Sequence, residues 1–359
     1  MPRVYPEHVP RVDCLPRGKT LTTAENPFAQ LLAVAREVSF VKGALLVRQG
    51  EASRGAFLIR TGSAEARVAL PGGGTLTVAQ FADGDMFGEM ALIERGVCSA
   101  TVVASGNVDG WFVEREDFRA LVASRDASAL ETQRMITHVL ADKLRVLNER
   151  VRQHAAVDDR SVTEPAPAAD PLANVPRSRH ASFDWRAFLP VLPFFEYFDD
   201  FEIDEFIAGA NVLELRRGAW VFAAGHPADA GYIVVRGALE VFTRDGGRER
   251  RVAIAGPGEF VGYMGVLRGG AHGGNARARE AVCLLEIPRA AFLETYNGTS
   301  GAAVSLQHAI HRSILRSIAR TNTQLTRLIS HARLNAAETH AAELEAALHG
   351  QMWRAEAQP

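Results

Sequence analysis

The side chains with the most reactive chemistry in this chain are three cysteines, and their spacing limits what they can do. Cys14, Cys98 and Cys283 are odd in number and far apart, so they predict neither a disulfide framework nor a zinc or iron–sulfur site. A lone thiol such as Cys98 could sense an oxidant, or it could be a small apolar filler. The sequence also shows no Ser–His–Asp constellation, P-loop, catalytic carboxylate pair or kinase signature. We therefore expect no catalytic residue, no metal and no cofactor.

The feature that organises the chain is a long-range internal repeat. In the first half Gly50 is followed by an aromatic residue seven positions on and by Gly62. In the second half Gly225, Tyr232 and Gly237 have the same spacing. Each copy is a run of short apolar segments separated by glycines, which is typical of β-strands and turns. The repeat predicts a mainly β protein with flanking helices (α+β), built as two tandem jelly-roll β-barrels.

A helical stripe follows each β unit. The first stripe contains Ile136, Leu140, Leu144, Leu147 and Val151, and the second contains Ile314, Ile318, Leu325 and Leu328. Such spacings place apolar side chains on one face of a helix. Two interpretations stay open: each stripe packs on its own barrel, or the second stripe forms a coiled-coil dimer seam.

Composition shifts divide the chain into five parts. We expect an N-terminal extension at 1–26, a first domain at 27–154, an exposed Pro/Ala-rich linker at 155–182, a second domain at 183–331 and an Ala/Glu-rich helical tail at 332–359. Gly350 is predicted to end the helix of the tail. No apolar leader and no run of about 18 apolar residues is found, so we expect a cytoplasmic protein without membrane insertion.

With these patterns in view, the chain resembles the cyclic-nucleotide-binding domain family, typified by the catabolite activator proteins and the regulatory subunit of protein kinase A. The resemblance rests on a cassette that reads Phe87, Gly88, Glu89, Met90, Ala91, Leu92, Ile93 and, after a gap, Cys98, Ser99, Ala100, Thr101. It extends from about Phe28 to Leu328 as two tandem copies.

The resemblance implies a binding site for a cyclic nucleotide. Backbone amides at the start of a short helix would hold the phosphate, and the Glu89 carboxylate would accept a hydrogen bond from the ribose 2′-hydroxyl. The candidate ligand-binding residues are Phe87, Gly88, Glu89, Met90, Ala91, Cys98, Ser99 and Ala100. Family members place an arginine where this chain has Cys98, so Arg95 is considered as a substitute cation. The implied ligand is cyclic AMP or a relative, and a nucleoside or a larger dinucleotide fits the substitution equally well.

The second copy departs further from the family pattern. Its corresponding residues are Gly262, Tyr263, Met264 and His272, which lack both the glutamate and the arginine. We therefore expect a degenerate second site that serves packing or partner binding. His272 could still carry a proton and contact a phosphate at mildly acidic pH.

Two functional hypotheses follow. One is a non-enzymatic sensor whose first domain binds a nucleotide and whose helices, around Ile136 to Leu147, relay the change to an unidentified protein partner. The other is a ligand-free scaffold with two relic pockets, in which Glu89 merely caps a backbone amide. A homodimer through the C-terminal helix is a further prediction. The net charge of −2 and the short stretch after Leu328 predict no direct DNA binding.

Overall fold

The computed structural model describes residues 29–69, 74–125, 127–154, 165–245 and 248–355. The predicted extension at 1–26 and the first ten residues of the predicted linker lie outside the described residues.

The described residues of the first structural unit form eight strands and four helices. They are α1 (Ala29–Ala33), β1 (Arg36–Phe40), β2 (Leu45–Val47), β3 (Gly55–Thr61), β4 (Ala64–Ala69), β5 (Thr75–Phe81), β6 (Met86–Phe87), α2 (Met90–Ile93), β7 (Thr101–Ala104), β8 (Val108–Glu114), α3 (Arg115–Ala123) and α4 (Ala127–His154). The short α2 lies in the cassette, and α4 carries the first apolar stripe.

The second unit repeats this order after a 3₁₀ helix (Arg186–Val191) and α5 (Asp200–Ile207). It continues with β9 (Asn211–Leu215), β10 (Trp220–Phe222), β11 (Ala230–Arg236), β12 (Leu239–Asp245), β13 (Arg248–Ala255), β14 (Phe260–Val261), α6 (Tyr263–Arg268), β15 (Asn275–Ala278), β16 (Val282–Pro288), α7 (Arg289–Asn297) and α8 (Gly301–Ala355). A capping box starts α5, since the Asp199 carboxylate accepts the Glu202 N–H at 2.8 Å.

The sheet topology of the two units is the same. The first unit forms the sheets β1-β8-β3-β6 and β2-β7-β4-β5, and the second forms β9-β16-β11-β14 and β10-β15-β12-β13. A Cβ atom at Gly62 would lie 1.8 Å from the Asn107 carbonyl oxygen, and one at Gly237 would lie 2.4 Å from that of Ala281. Both glycines also have positive φ angles, so the turn accepts no larger residue. The predicted tandem jelly-roll fold is confirmed.

The two helical stripes pack against each other, a contact that neither interpretation of the sequence includes, within a core that also contains Leu58 and Leu285 of the two barrels. Leu140 and Ile314 are fully buried in one shared core. Thr137 and His311 are hydrogen-bonded at 2.6 Å, and they stand at equivalent positions of the two repeats. The Thr321 hydroxyl donates to the Asn148 side chain at 3.2 Å further along. The helices therefore run in parallel, and the two units are related as in an internal dimer.

Part of the segment expected to be an exposed linker is packed against the second barrel. Leu172 is 1% exposed among the side chains of that barrel, including Phe222 and Tyr232. Arg177 donates two hydrogen bonds to the Glu286 carboxylate, at 2.8 and 2.9 Å. The Pro- and Ala-rich composition resembles a linker because a single buried leucine leaves no periodic signal.

We expect Leu172→Ala to lower the free energy of unfolding by about 3 kcal/mol, because it leaves a cavity in the second barrel. Chemical denaturation measures this change. Val191→Ala is the matched control, since Val191 is 76% exposed and its truncation should change little. An equally small effect at Leu172 would contradict the packing described here.

The C-terminal helix is longer than the sequence predicts. α8 continues to Ala355, so the expected stop at Gly350 is wrong and the boundary placed at residue 331 falls inside this helix. One glycine costs only about 1 kcal/mol within a helix, which alanine- and glutamate-rich neighbours offset. None of the described helices is both long and apolar enough to cross a membrane.

Candidate functional site

A cavity of about 700 Å³ lies between the first barrel and the helices α2, α4 and α8. The nine residues that the sequence predicts for the first site all line it: Phe87, Gly88, Glu89, Met90, Ala91, Arg95, Cys98, Ser99 and Ala100. Its volume is within the range of small-molecule and cofactor sites.

The cassette is held in place by the barrel and by a buried arginine. Gly88 has a φ of +77°, and a Cβ atom there would lie 2.8 Å from the Gly55 carbonyl oxygen. After this turn α2 forms a single helical turn. Arg115 at the start of α3 donates to the Ala91 carbonyl oxygen and, at 2.6 Å, to that of Ser53. This guanidinium joins α2 to the loop between β2 and β3.

Glu89 forms a buried ion pair that the sequence analysis did not foresee. The Glu89 side chain is 3% exposed, and its Oε2 atom lies 2.7 Å from Nζ of Lys143 on α4. Lys143 also reaches the Met86 carbonyl oxygen at 3.4 Å. The carboxylate makes no cap hydrogen bond to α2, so the expectation that it caps a backbone amide is wrong. The cassette is thus bonded directly to α4.

Cys98 is the residue that the sequence analysis places at the position of the family's arginine. Its N–H donates to the Glu51 carbonyl oxygen at 2.8 Å, and its own carbonyl oxygen accepts from Gly50 at 2.9 Å. Burial, followed by the negative charge of Glu51, raises the pKa of the Cys98 thiol. A raised pKa disfavours the reactive thiolate, so the surroundings of Cys98 do not favour oxidant sensing.

Arg95, the candidate substitute cation, lies at the exposed edge of the cavity. Its guanidinium is 3.3 Å from the Glu116 carboxylate, and both side chains are mostly exposed. Such a pair is weak and opens at little cost. A phosphate contact by Arg95 stays a prediction.

Further cavity-lining groups come from helices distant in sequence. Arg150 on α4 donates to the Val78 carbonyl oxygen, and burial lowers the pKa of its guanidinium. α8 contributes Leu315, Ile318 and Asn322. The second repeat therefore completes the wall of the first site.

Aromatic rings line the barrel side of the same cavity. Phe57 and Phe87 stack with centroids 4.9 Å apart, and the Phe81 and Phe87 rings are 5.1 Å apart. Flat apolar faces beside Lys143 and Arg150 suit a ligand that combines a planar ring with an anionic group.

The second predicted site is not assembled in the same way. Tyr263 is buried against Phe260, with ring centroids 5.2 Å apart, and Met264 packs against the core. Of Gly262, Tyr263, Met264 and His272, His272 alone lines the second cavity formed by the described residues, which measures about 350 Å³.

The His272 ring is buried, and it stacks on Phe222 at 3.9 Å. Burial, followed by the charge of His226, lowers the pKa of His272 to about 4. The expectation of a protonated His272 at mildly acidic pH is therefore wrong, because burial disfavours the charged ring.

We expect acid to destabilise the fold through its buried neutral histidines. Burial, followed by the charge of His308, also lowers the pKa of His311 to about 3. The unfolded chain then binds more protons, so stability is lost as the pH falls from 6.5 to 4, by about 3 kcal/mol for His272. Denaturation curves of the native chain and of His272→Gln over this range measure the effect. Identical pH slopes would contradict it.

The comparisons with known proteins define the class. The model of the cyclic nucleotide-binding domain matches residues 37–125 and 212–298, one match in each barrel. The chain belongs to the family of proteins that carry this domain, in two tandem copies. The search of curated proteins found no match.

Among solved structures, the chain is similar to the regulatory domain of Toxoplasma gondii PKA with cAMP, at 17% identity over 77% of this chain and 87% of that chain, TM-score 0.29. A regulatory subunit of a cAMP-independent protein kinase A from Trypanosoma cruzi, bound to guanosine, is 17% identical over 72% of each chain, TM-score 0.29. The N-terminal domain of a Streptomyces coelicolor transcriptional regulator is 27% identical over 37% of this chain and 94% of that chain, TM-score 0.32. The family assignment rests on the two domain matches.

Proposed function

We propose that this chain is a non-enzymatic regulatory protein whose first domain binds a cyclic nucleotide or a related nucleotide ligand. The observation that carries the proposal is the cavity of the first barrel, where the cassette, α4 and α8 meet. A cytoplasmic location remains the prediction of the sequence.

The ion pair between Glu89 and Lys143 supplies a relay. A ribose hydroxyl would donate to the Glu89 carboxylate, and the ligand phosphate would attract the Lys143 ammonium. Both contacts compete with the 2.7 Å pair, so binding loosens α4 from the cassette. Because α4 packs against α8 through Thr137 and His311, the movement reaches both units. An unidentified protein partner would read this change.

The alternative is a ligand-free scaffold. It is favoured by Cys98 in the place of the arginine and by Lys143, which already neutralises Glu89. A homodimer through the C-terminal helix also stays a prediction. Up to Thr321 at least, one face of α8 is covered by α4, so a second copy would need another face.

A thermal-shift assay with cyclic AMP, cyclic GMP, cyclic di-GMP and guanosine separates the two functions. At a hundred times its dissociation constant, a true ligand adds about 2.7 kcal/mol to stability. The sensor predicts a shift that Glu89→Ala abolishes and that Glu37→Ala, an exposed carboxylate outside the cavity, retains. No shift with any of the four compounds favours the scaffold.

A further inference from the structure

The second cavity is a separate compartment with its own chemistry. It measures about 350 Å³ and lies between the second barrel and the packed segment around Asp170 and Arg177. The residues of α6 do not line it, whereas Tyr232 and His272 do, at the repeat positions of Phe57 and Cys98 in the first cavity. It is therefore the smaller counterpart of the first cavity, with different side chains and without the cassette helix in its wall.

The charges around this cavity are mainly negative. Its charged lining residues are Asp170, Asp229 and Glu286, against one guanidinium from Arg177. Arg177 is engaged by Glu286 through two hydrogen bonds, which leaves two carboxylates without a counter-ion in the lining. Burial, then Glu286 and then Asp170, raises the pKa of the Tyr232 hydroxyl. A phosphate would be repelled here.

Two buried polar side chains also face the cavity. Tyr232 and His272 are 6% and 5% exposed and both line it. Among the residues that the structure describes, neither the Tyr232 hydroxyl nor the His272 ring nitrogens have a hydrogen-bond partner. Their polar atoms are not enclosed in the core but are accessible from the cavity, so a polar molecule that enters it can hydrogen-bond to both. Both can accept an N–H donor.

We propose that the second cavity binds a small aliphatic cation with N–H donors, an amine or a guanidine. Asp170 and Asp229 attract its charge at the rim, Tyr232 and His272 accept its hydrogen bonds, and Phe222 offers an aromatic face. The volume equals roughly ten waters, which fits a compound of similar heavy-atom count. The second barrel then senses a ligand of opposite charge to a nucleotide. This proposal does not depend on the function proposed for the first domain.

The test is a calorimetric titration of the full chain with agmatine, which carries both an ammonium and a guanidinium. We expect saturable binding that Asp170→Asn combined with Asp229→Asn weakens at least tenfold. Both carboxylates are exposed, so the double variant should fold. The matched control is Asp184→Asn with Asp200→Asn, exposed carboxylates outside the cavity, which should leave the affinity unchanged.

Further measurements distinguish binding at this site from binding at the first one. Glu89→Ala, in the first cavity, should leave agmatine binding intact, and inorganic phosphate should not compete with agmatine. Tyr232→Phe, which removes one acceptor, should weaken agmatine several-fold. Absence of agmatine binding, or an affinity that the Asp170/Asp229 variant leaves unchanged, would overturn the proposal.

Discussion

Replacing Lys143 by methionine is expected to lower the free energy of unfolding by about 2 kcal/mol, because it leaves the buried Glu89 carboxylate without its cation. Breaking a fully buried pair costs roughly 3–5 kcal/mol. The Lys143 side chain is 22% exposed, so we expect less. Chemical denaturation measures the loss.

Two further variants test whether this loss of stability comes from the buried ion pair. The double substitution Glu89→Gln with Lys143→Met should recover most of the stability, since no charge is then left buried. Arg145→Met is the matched control on the same helix. Its partner Asp142 lies 3.8 Å away at the surface, and such pairs contribute about 0.5 kcal/mol. Equal losses from Lys143→Met and Arg145→Met would mean that the pair does not join α4 to the cassette.

The same variant should separate the two kinds of ligand. Lys143 is the cation closest to the cassette glutamate, so Lys143→Met should weaken a cyclic nucleotide about tenfold or more, the value of one charge-assisted hydrogen bond. A nucleoside carries no phosphate, and its binding should be unchanged or tighter because Glu89 is released. Calorimetry with cyclic AMP and adenosine checks this. Equal weakening of both ligands would show that the ammonium does not contact the phosphate.

Cys98→Arg is expected to tighten cyclic AMP binding by about 10–100-fold, since it restores a guanidinium that contributes roughly 1.5–3 kcal/mol. The half-buried Cys98 lines the cavity, and its backbone is fixed by hydrogen bonds to Glu51 and Gly50. The side chain introduced there should therefore point to the phosphate. The dissociation constant of cyclic AMP is the measurement.

Cys98→Gln is the control, because it adds length and polarity without charge. It should leave the affinity within about threefold of the native chain. If Cys98→Arg also leaves the affinity unaltered, residue 98 does not face the phosphate and the proposed orientation of the ligand is wrong.

The barrels and the cassette could be predicted from the sequence because their signals are local. At Gly62 and Gly237 a close approach of another backbone segment allows only glycine. The two glycines therefore recur at the same spacing in both repeats and make the repeat visible in the sequence. The cassette residues are nearly contiguous, and a single turn at Gly88 brings them to one cavity. Short-range patterns of this kind can be interpreted without knowledge of the tertiary fold.

The residues that the sequence analysis missed come from long-range packing. Lys143 reaches Glu89 from α4, and Asn322 reaches the same cavity from α8. An apolar stripe indicates that a helix packs against another element, but it does not identify that element. The sequence therefore does not predict the pairing of α4 with α8. The expectations of an exposed linker around Leu172 and of a protonated His272 fail for a related reason. Both residues are buried in the tertiary fold, and burial lowers the pKa of the histidine.

The most direct test is a crystal structure of the full chain grown with the nucleotide that gives the largest thermal shift. Our account predicts density in the first cavity, with a ribose hydroxyl on the Glu89 carboxylate and Lys143 moved from Glu89 to the phosphate. Density elsewhere at saturating nucleotide, with the two side chains still paired, would contradict it.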